Sequence, residues 1–244
     1  MTPPLFLLDE LPAADELVLG GDEGRHAARV QRLRPGEALL VSDGRGAVLD
    51  CRVAAVTADG LSLRVVARRS EAPADPRLVV VQALPKGERA ELAVETMTEL
   101  GVDEVVPWQA SRSVVQWHGA RGEKARERWQ RTAREAAKQS RRAWVPDVAP
   151  LADTAAVTHR LRSATAALVL HEDAADPIVR VPLPPDGEVV LVVGPEGGIS
   201  SAELDAFGAS GARAVRLGPT VLRTSTAGPA ALAAVSLRLG RWSD

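Results

Sequence analysis

Three stretches of this chain are apolar almost without a break: LVVVQAL (residues 78–84), AALVLHE (166–172) and EVVLVVGPE (188–196). A strand with one face in water alternates apolar and polar residues. Runs like these belong to strands covered on both faces, the pattern of a parallel sheet with helices above and below it. Helical periodicity lies between them. Residues 88–100 put Ala90, Ala93, Met97 and Leu100 on one side and stop at Gly101, and 123–142 align Ala125, Trp129, Ala133, Ala136 and Ser140. VDEVVPW (102–108) and ARAVRLG (212–218) add two further strands, and a last helix is expected from about Ala227 to Leu239. The alternation predicts an α/β domain with a mostly parallel sheet.

The first seventy residues follow another rule. ALLVS, AVLDCRVAAV and LSLRVVARR alternate and are separated by the turns DGRG and ADG, a hairpin signature. In front of them RHAARVQRLR places His26, Val30 and Leu33 on one face of a helix turn. SEAPADP (70–76) reads as a linker, so the expected domains are 1–72 and 73–244.

Composition narrows the function classes. The opening MTPPLFLLDELP has no basic start and an apolar run of only four residues, unlike a signal peptide. No stretch approaches the roughly 18 apolar residues of a membrane helix. The expectation is a cytoplasmic protein with no membrane association. Cys51 is the one cysteine and is read as a small buried hydrophobe. His26, His118, His159 and His171 are scattered, so no metal site is expected.

Two strand ends carry the local signals. In VLVVGPEGGISSAEL a buried strand ends at Val193, glycines 194, 197 and 198 allow close backbone approach to a ligand, and Ser200 with Glu203 makes a capping box. Ligands of α/β sheets bind at such carboxyl ends. The loop has no GKS or GKT, and Glu196 would repel a phosphate, so a neutral or cationic ligand suits it better. In VRLGPTVLRTSTAGPAALAAV a strand ends in Gly218 and a helix follows, with Thr224 or Thr226 as N-cap and Pro229 in its first turn. The two loops could together enclose a small molecule, with Arg223 between them.

Net charge is −2, yet the basic residues cluster. Arg25, Arg29 and Arg32 recur at i, i+4 and i+7, and residues 123–142 hold eight Lys or Arg against three Glu. Either stripe alone is an ordinary solvated helix face; the two together favour nucleic acid. Trp108, Trp117, Trp129 and Trp144 are read as packing residues.

GPEGGISSAEL followed by LGPTVLRTSTA resembles the paired cofactor loops of the SPOUT methyltransferases. More narrowly, the chain is similar to the bacterial family that methylates N3 of a uridine in 16S ribosomal RNA. HAARVQRLRPGE, SDGRG, ALPKGERAELAVETMTELGV, SRSVVQW and AAKQSRRAWVPDV extend the match, in order, over nearly the whole chain. The resemblance implies an N-terminal PUA-like β-barrel that binds RNA, followed by a trefoil-knotted, mostly parallel α/β SPOUT domain. It implies S-adenosyl-L-methionine as cofactor, held by Leu170, His171, Gly194, Glu196, Gly198, Leu217, Leu222, Arg223 and Thr226. It also implies a homodimer acting on 16S ribosomal RNA in the assembled small subunit. Where the family often has Glu in LRTETA, this chain has Ser225.

On chemical grounds Arg223 is the candidate catalytic residue, stabilising charge on the uridine carbonyls. Arg25, Arg29 and Arg32 would position the RNA backbone. The alternatives are a SPOUT methyltransferase acting on a ribose 2′-hydroxyl or another RNA, and a non-catalytic RNA-binding or ribosome-assembly factor.

Overall fold

A computed structural model describes residues 2–87 and 89–243; Glu88, the first position of the helix expected over 88–100, lies outside the described residues. By compactness the chain divides into two units, residues 1–73 with 137–145, and residues 74–136 with 146–244.

The first unit begins with β1 (Leu5–Leu7), β2 (Glu16–Leu19) and the short α1 (Gly21–Arg25). The hairpin strands follow as β3 (Ala38–Ser42), β4 (Ala47–Thr57) and β5 (Gly60–Ser70). They form one sheet in the order β1-β3-β4-β5-β2, parallel only at β1-β3. Phe6, Leu19, Leu39, Val41, Leu61 and Leu63 fill its core. β1 and β2 are too short to announce themselves by alternation; packing defines them. Cys51 is buried among these apolar residues, which together with the adjacent Asp50, and against the pull of Arg68, pushes its thiol up to about 11.

The helix at RHAARVQRLR differs from expectation. α1 ends at Arg25 and continues only as a π-helical turn over His26–Val30, where the Gln31 N–H bonds the His26 carbonyl at 3.0 Å. Arg32 then takes a left-handed conformation, φ 55°. The i, i+4, i+7 stripe therefore does not exist as one helical face: the wide turn and the left-handed exit rotate Arg29 and Arg32 off it, and Arg25 pairs with Asp22.

The second unit holds β6 (Arg77–Ala83), α2 (Arg89–Glu99), β7 (Glu104–Trp108), α3 (Gly119–Gln139), β8 (Asp147–Val148), α4 (Thr154–Ser163), β9 (Ala166–Leu170), β10 (Glu188–Val193), α5 (Ser201–Ala209), β11 (Arg213–Val215) and α6 (Thr224–Arg238). The last turn of α3 counts with the first unit. The sheet is wholly parallel, in the order β11-β9-β10-β6-β7-β8. Its central strands are buried on both faces, as their apolar runs require. One face packs on Ala93, Met97, Trp129, Leu232 and Val235, the other on Val157, Leu161 and Phe207. Trp117 meets Trp129 edge-on at 5.0 Å and Trp108 meets Phe207 at 5.4 Å, so these tryptophans pack rather than stack on a ligand. Asp153, whose side chain accepts from Ala156 N–H, starts α4, a helix with only Val157 and Leu161 buried and no strong periodic signal. Pro229 falls inside α6 rather than in its first turn, because the helix begins at Thr224 with Arg223 as N-cap.

Candidate functional site

β10 enters the sheet between β9 and β6, so the carboxyl ends of β9, β10 and β11 lie side by side with three loops leaving them. Between those loops is a cavity of about 640 Å³, within the range of roughly 300–1,000 Å³ of small-molecule sites.

The first wall is the end of β9. The backbone N–H of His171 bonds the Val215 carbonyl at 2.9 Å, tying this wall to β11. The His171 ring accepts at Nδ1 from the Asp173 N–H, 3.2 Å away. The second wall is the glycine turn after β10, closed by a 2.9 Å bond from Gly198 N–H to the Pro195 carbonyl with Gly198 at φ +73°. A side chain at Gly194 would stand 2.7 Å from Ile199 Cγ1, and one at Gly197 would stand 3.1 Å from the Arg112 carbonyl. The glycines are thus needed both for the turn and for the approach of the 110–113 segment. Glu196 turns away from the strand and accepts from the Lys86 N–H at 3.1 Å.

The capping box at α5 is present with both bonds, and it does more than cap. Glu203 is buried; Oε1 accepts from Ser111 N–H (2.8 Å) and the Thr154 hydroxyl (3.1 Å). Oε2 accepts from Ser200 N–H (3.0 Å) and the hydroxyls of Ser200 (2.7 Å) and Ser111 (2.9 Å). Burial opposes the charge on this carboxylate, but the donors from Ser111 and Ser200 outweigh it and hold its pKa below the usual value.

The third wall is the segment 216–223. Arg216 N–H bonds the Asp176 carbonyl at 2.9 Å, and the Arg223 carbonyl accepts from the N–H groups of Thr226 (2.8 Å) and Ala227 (2.9 Å) as α6 begins. Among the described residues, the N–H groups of Leu217, Gly218 and Leu222 make no backbone hydrogen bond, and space beside the Gly218 Cα is open.

Of the residues expected from sequence, Leu170, His171, Gly194, Glu196, Gly198, Leu217, Leu222 and Arg223 line this one cavity. Thr226 does not; it is exposed, in the first turn of α6. Arg25, Arg29 and Arg32 belong to the other unit. Sequence reasoning missed Arg89 and Arg112, which also line the cavity. Each sits in a segment quoted for its resemblance, ALPKGER and SRSVVQW, but neither shows any spacing signal.

A family model described as an RNA methyltransferase domain matches residues 72–236, and one described as an RNA methyltransferase PUA domain matches residues 19–66. The chain belongs to this RNA methyltransferase family. Within it, the enzyme is 49% identical over 247 residues to the ribosomal RNA small subunit methyltransferase E of Mycobacterium tuberculosis, covering 99% of this chain and 94% of that one. It is 31% identical to the protein of that name from Bacillus subtilis, over 93% and 92% of the two chains. Among solved structures it is similar to the ribosomal RNA small subunit methyltransferase E of Neisseria gonorrhoeae bound to S-adenosyl methionine. There the TM-score is 0.85 and the identity 28%, over 97% of this chain and 98% of that one. A methyltransferase of Legionella pneumophila in complex with its cofactor SAM superposes with a TM-score of 0.85 at 26% identity, over 98% of each chain.

Proposed function

We propose that this enzyme methylates N3 of a specific uridine in 16S ribosomal RNA of the small subunit, using S-adenosyl-L-methionine. The observation that carries the reading is the cavity at the ends of β9, β10 and β11, in a chain 49% identical over almost its full length to a small-subunit methyltransferase.

The cavity's donor set fits that cofactor. Leu170, Leu217 and Leu222 offer apolar surface to a flat heterocycle, and the free N–H groups of Leu217, Gly218 and Leu222 can serve its ring nitrogens and carboxylate. Glu172, Asp173 and Glu196 on the lining can face the cofactor's cationic centres. Gly194 and Gly198 keep backbone rather than side chain facing the ligand. When bound, the cofactor supplies an electrophilic sulfonium methyl.

The chain's own task is to orient the uridine and manage its N3 proton. As that proton leaves, negative charge spreads onto the two flanking carbonyl oxygens. In this reading Arg223 stabilises it, a role supported by its exposure on the cavity lining and its lack of a side-chain partner among the described residues. His171 Nδ1 is engaged by the Asp173 N–H, and in this reading the N3 proton passes to water. Arg223→Ala keeps cofactor binding in this reading and loses most turnover; undiminished turnover overturns the role.

Arg29 and Arg32, both exposed and unpaired among the described residues, serve as contacts to the RNA backbone, with Arg25 partly neutralised by Asp22. Homodimerisation is supported by the apolar, exposed Val179 and Leu237 near the end of α6. The trefoil knot is supported by the insertion of β10 between β9 and β6 with α6 packed against both β10 and β6. A ribosome-modifying enzyme works in the cytoplasm, and no helix among the described residues is long and apolar enough to cross a membrane.

The test is incubation of small subunits lacking the modification with S-adenosyl-L-methionine, followed by mass spectrometry of the digested nucleosides. N3-methyluridine is the expected product. A 2′-O-methylated nucleoside moves the substrate, and cofactor binding without methylation makes the protein a binding factor.

A further inference from the structure

The cavity holds more positive charge than its cofactor can use. Four arginines line it: Arg89, Arg112, Arg216 and Arg223. Arg216 is engaged through the Ala174 carbonyl at 3.3 Å. Among the described residues none of the four forms an ion pair, although Glu172, Asp173 and Glu196 line the same cavity. S-adenosylmethionine carries one carboxylate, no phosphate and two cationic centres, so it cannot balance this set of guanidinium groups. Arg223 answers the charge developing on the base. A nucleotide within an RNA strand, however, brings a phosphate on each side, and a guanidinium fork is the side chain best matched to one.

Arg112 is the better placed of the two remaining arginines. Its Nη1 lies over the glycine turn, 3.4 Å from the Gly197 carbonyl and 4.0 Å from where a side chain on Gly198 would begin. Its backbone cannot drift, because Ser111 next to it is gripped at both N–H and hydroxyl by the buried Glu203 carboxylate. Glu203 therefore fixes the loop and Arg112 presents the charge, an arrangement set before any ligand arrives. Arg89, in the first turn of α2, lines the same cavity.

Building on the proposed reaction, we infer that Arg112 and Arg89 grip the phosphates flanking the target uridine and so hold its base at the cavity. Glu203 acts as a positioning residue for Arg112.

The test uses the full-length protein and small subunits lacking the modification, with cofactor affinity measured separately by calorimetry. Arg112→Gln should raise KM for the particle about tenfold and leave cofactor Kd unchanged. It should also reduce the slope of log KM against log salt by about 0.7–0.9, the loss of one phosphate contact. Arg112→Lys restores the slope because it restores the charge, though not the forked geometry. Arg89→Gln repeats the pattern at the second phosphate. A weakened cofactor Kd with unchanged KM for the particle overturns the inference and assigns Arg112 to the cofactor carboxylate. So does a Gln variant with unaltered KM and slope while the wild type methylates normally. A wild type that makes no N3-methyluridine sinks the underlying reaction instead, and the phosphate grip with it.

Discussion

Replacing Glu203 with glutamine tests how the glycine turn, the 110–113 segment and α5 are held as one block. The two backbone donors it serves sit on different oxygens: Ser111 N–H on Oε1 and Ser200 N–H on Oε2. A glutamine amide has one acceptor oxygen, so in either orientation its NH2 group faces one of these fixed N–H groups. A buried donor left unsatisfied costs about 1–3 kcal/mol, and the surviving bond loses its charge assistance. The sum is about 2–3 kcal/mol at pH 7, which lowers Tm by roughly 5–10 °C for a chain of this size. The carboxylate's pKa is lower in the folded protein than its ordinary value of 4.5. Its ionisation therefore contributes stability that is complete above about pH 4.5 and fades as pH falls through the lowered folded value. Urea denaturation followed by the fluorescence of the buried Trp108 and Trp129 measures the gap between wild type and Glu203→Gln at each pH. The gap should be full at neutrality and narrow steadily once the wild-type carboxylate begins to protonate. A gap that is negligible at pH 7, or equally wide at pH 7 and pH 3, refutes the argument.

Three further outcomes are expected. Arg160→Leu leaves Glu104 and Glu188 with only Arg77 to balance them, since Arg160 bonds Glu104 at 2.7 and 2.8 Å and Glu188 at 2.8 and 3.2 Å; urea denaturation should show a loss of about 2–3 kcal/mol. Gly60→Ala forces a side chain into the Leu19 carbonyl at a position with φ +147°, and should cost about 2–4 kcal/mol by chemical denaturation. Cys51, with its pKa pushed up to about 11, stays protonated at pH 8, and a disulfide reagent should label it only as the protein unfolds.

The parts of the fold that could be read from sequence are those whose signal is local. The unbroken apolar runs of β6, β9 and β10 can only be strands of a covered sheet, and Ser200 with Glu203 marks the start of α5 within one turn. The start of α6 was misplaced because Arg223, which has no side-chain capping bond, occupies the N-cap position beside two better capping residues. The arginine stripe at 25, 29 and 32 failed for a related reason. Periodicity assumes 3.6 residues per turn, and a π turn followed by a left-handed residue violates that assumption without altering composition. At the site, the glycine and leucine positions were legible as loop ends. Arg89 and Arg112 were not, because what brings them to the cavity is the parallel order of the sheet and a carboxylate about ninety residues away from Ser111.

The two ends of the parallel sheet treat charge in opposite ways. At the amino ends of β6, β7 and β10, Arg77 and Arg160 are matched against Glu104, Glu188 and Asp147, with nitrogen–oxygen separations from 2.7 to 3.7 Å. Arg241 is likewise closed off by Asp103 and the Gly101 carbonyl. Each cation there has its anion, and the arrangement stabilises the fold. At the carboxyl ends, Arg89, Arg112, Arg216 and Arg223 share a cavity with three acids and, among the described residues, form an ion pair with none of them. Like charges gathered without partners oppose folding. The same sheet that neutralises its arginines at one end keeps four unneutralised at the other, where the loops surround the cavity. That difference fits the phosphate grip proposed for Arg112 and Arg89, because a guanidinium already paired with a carboxylate has no fork to offer a phosphate.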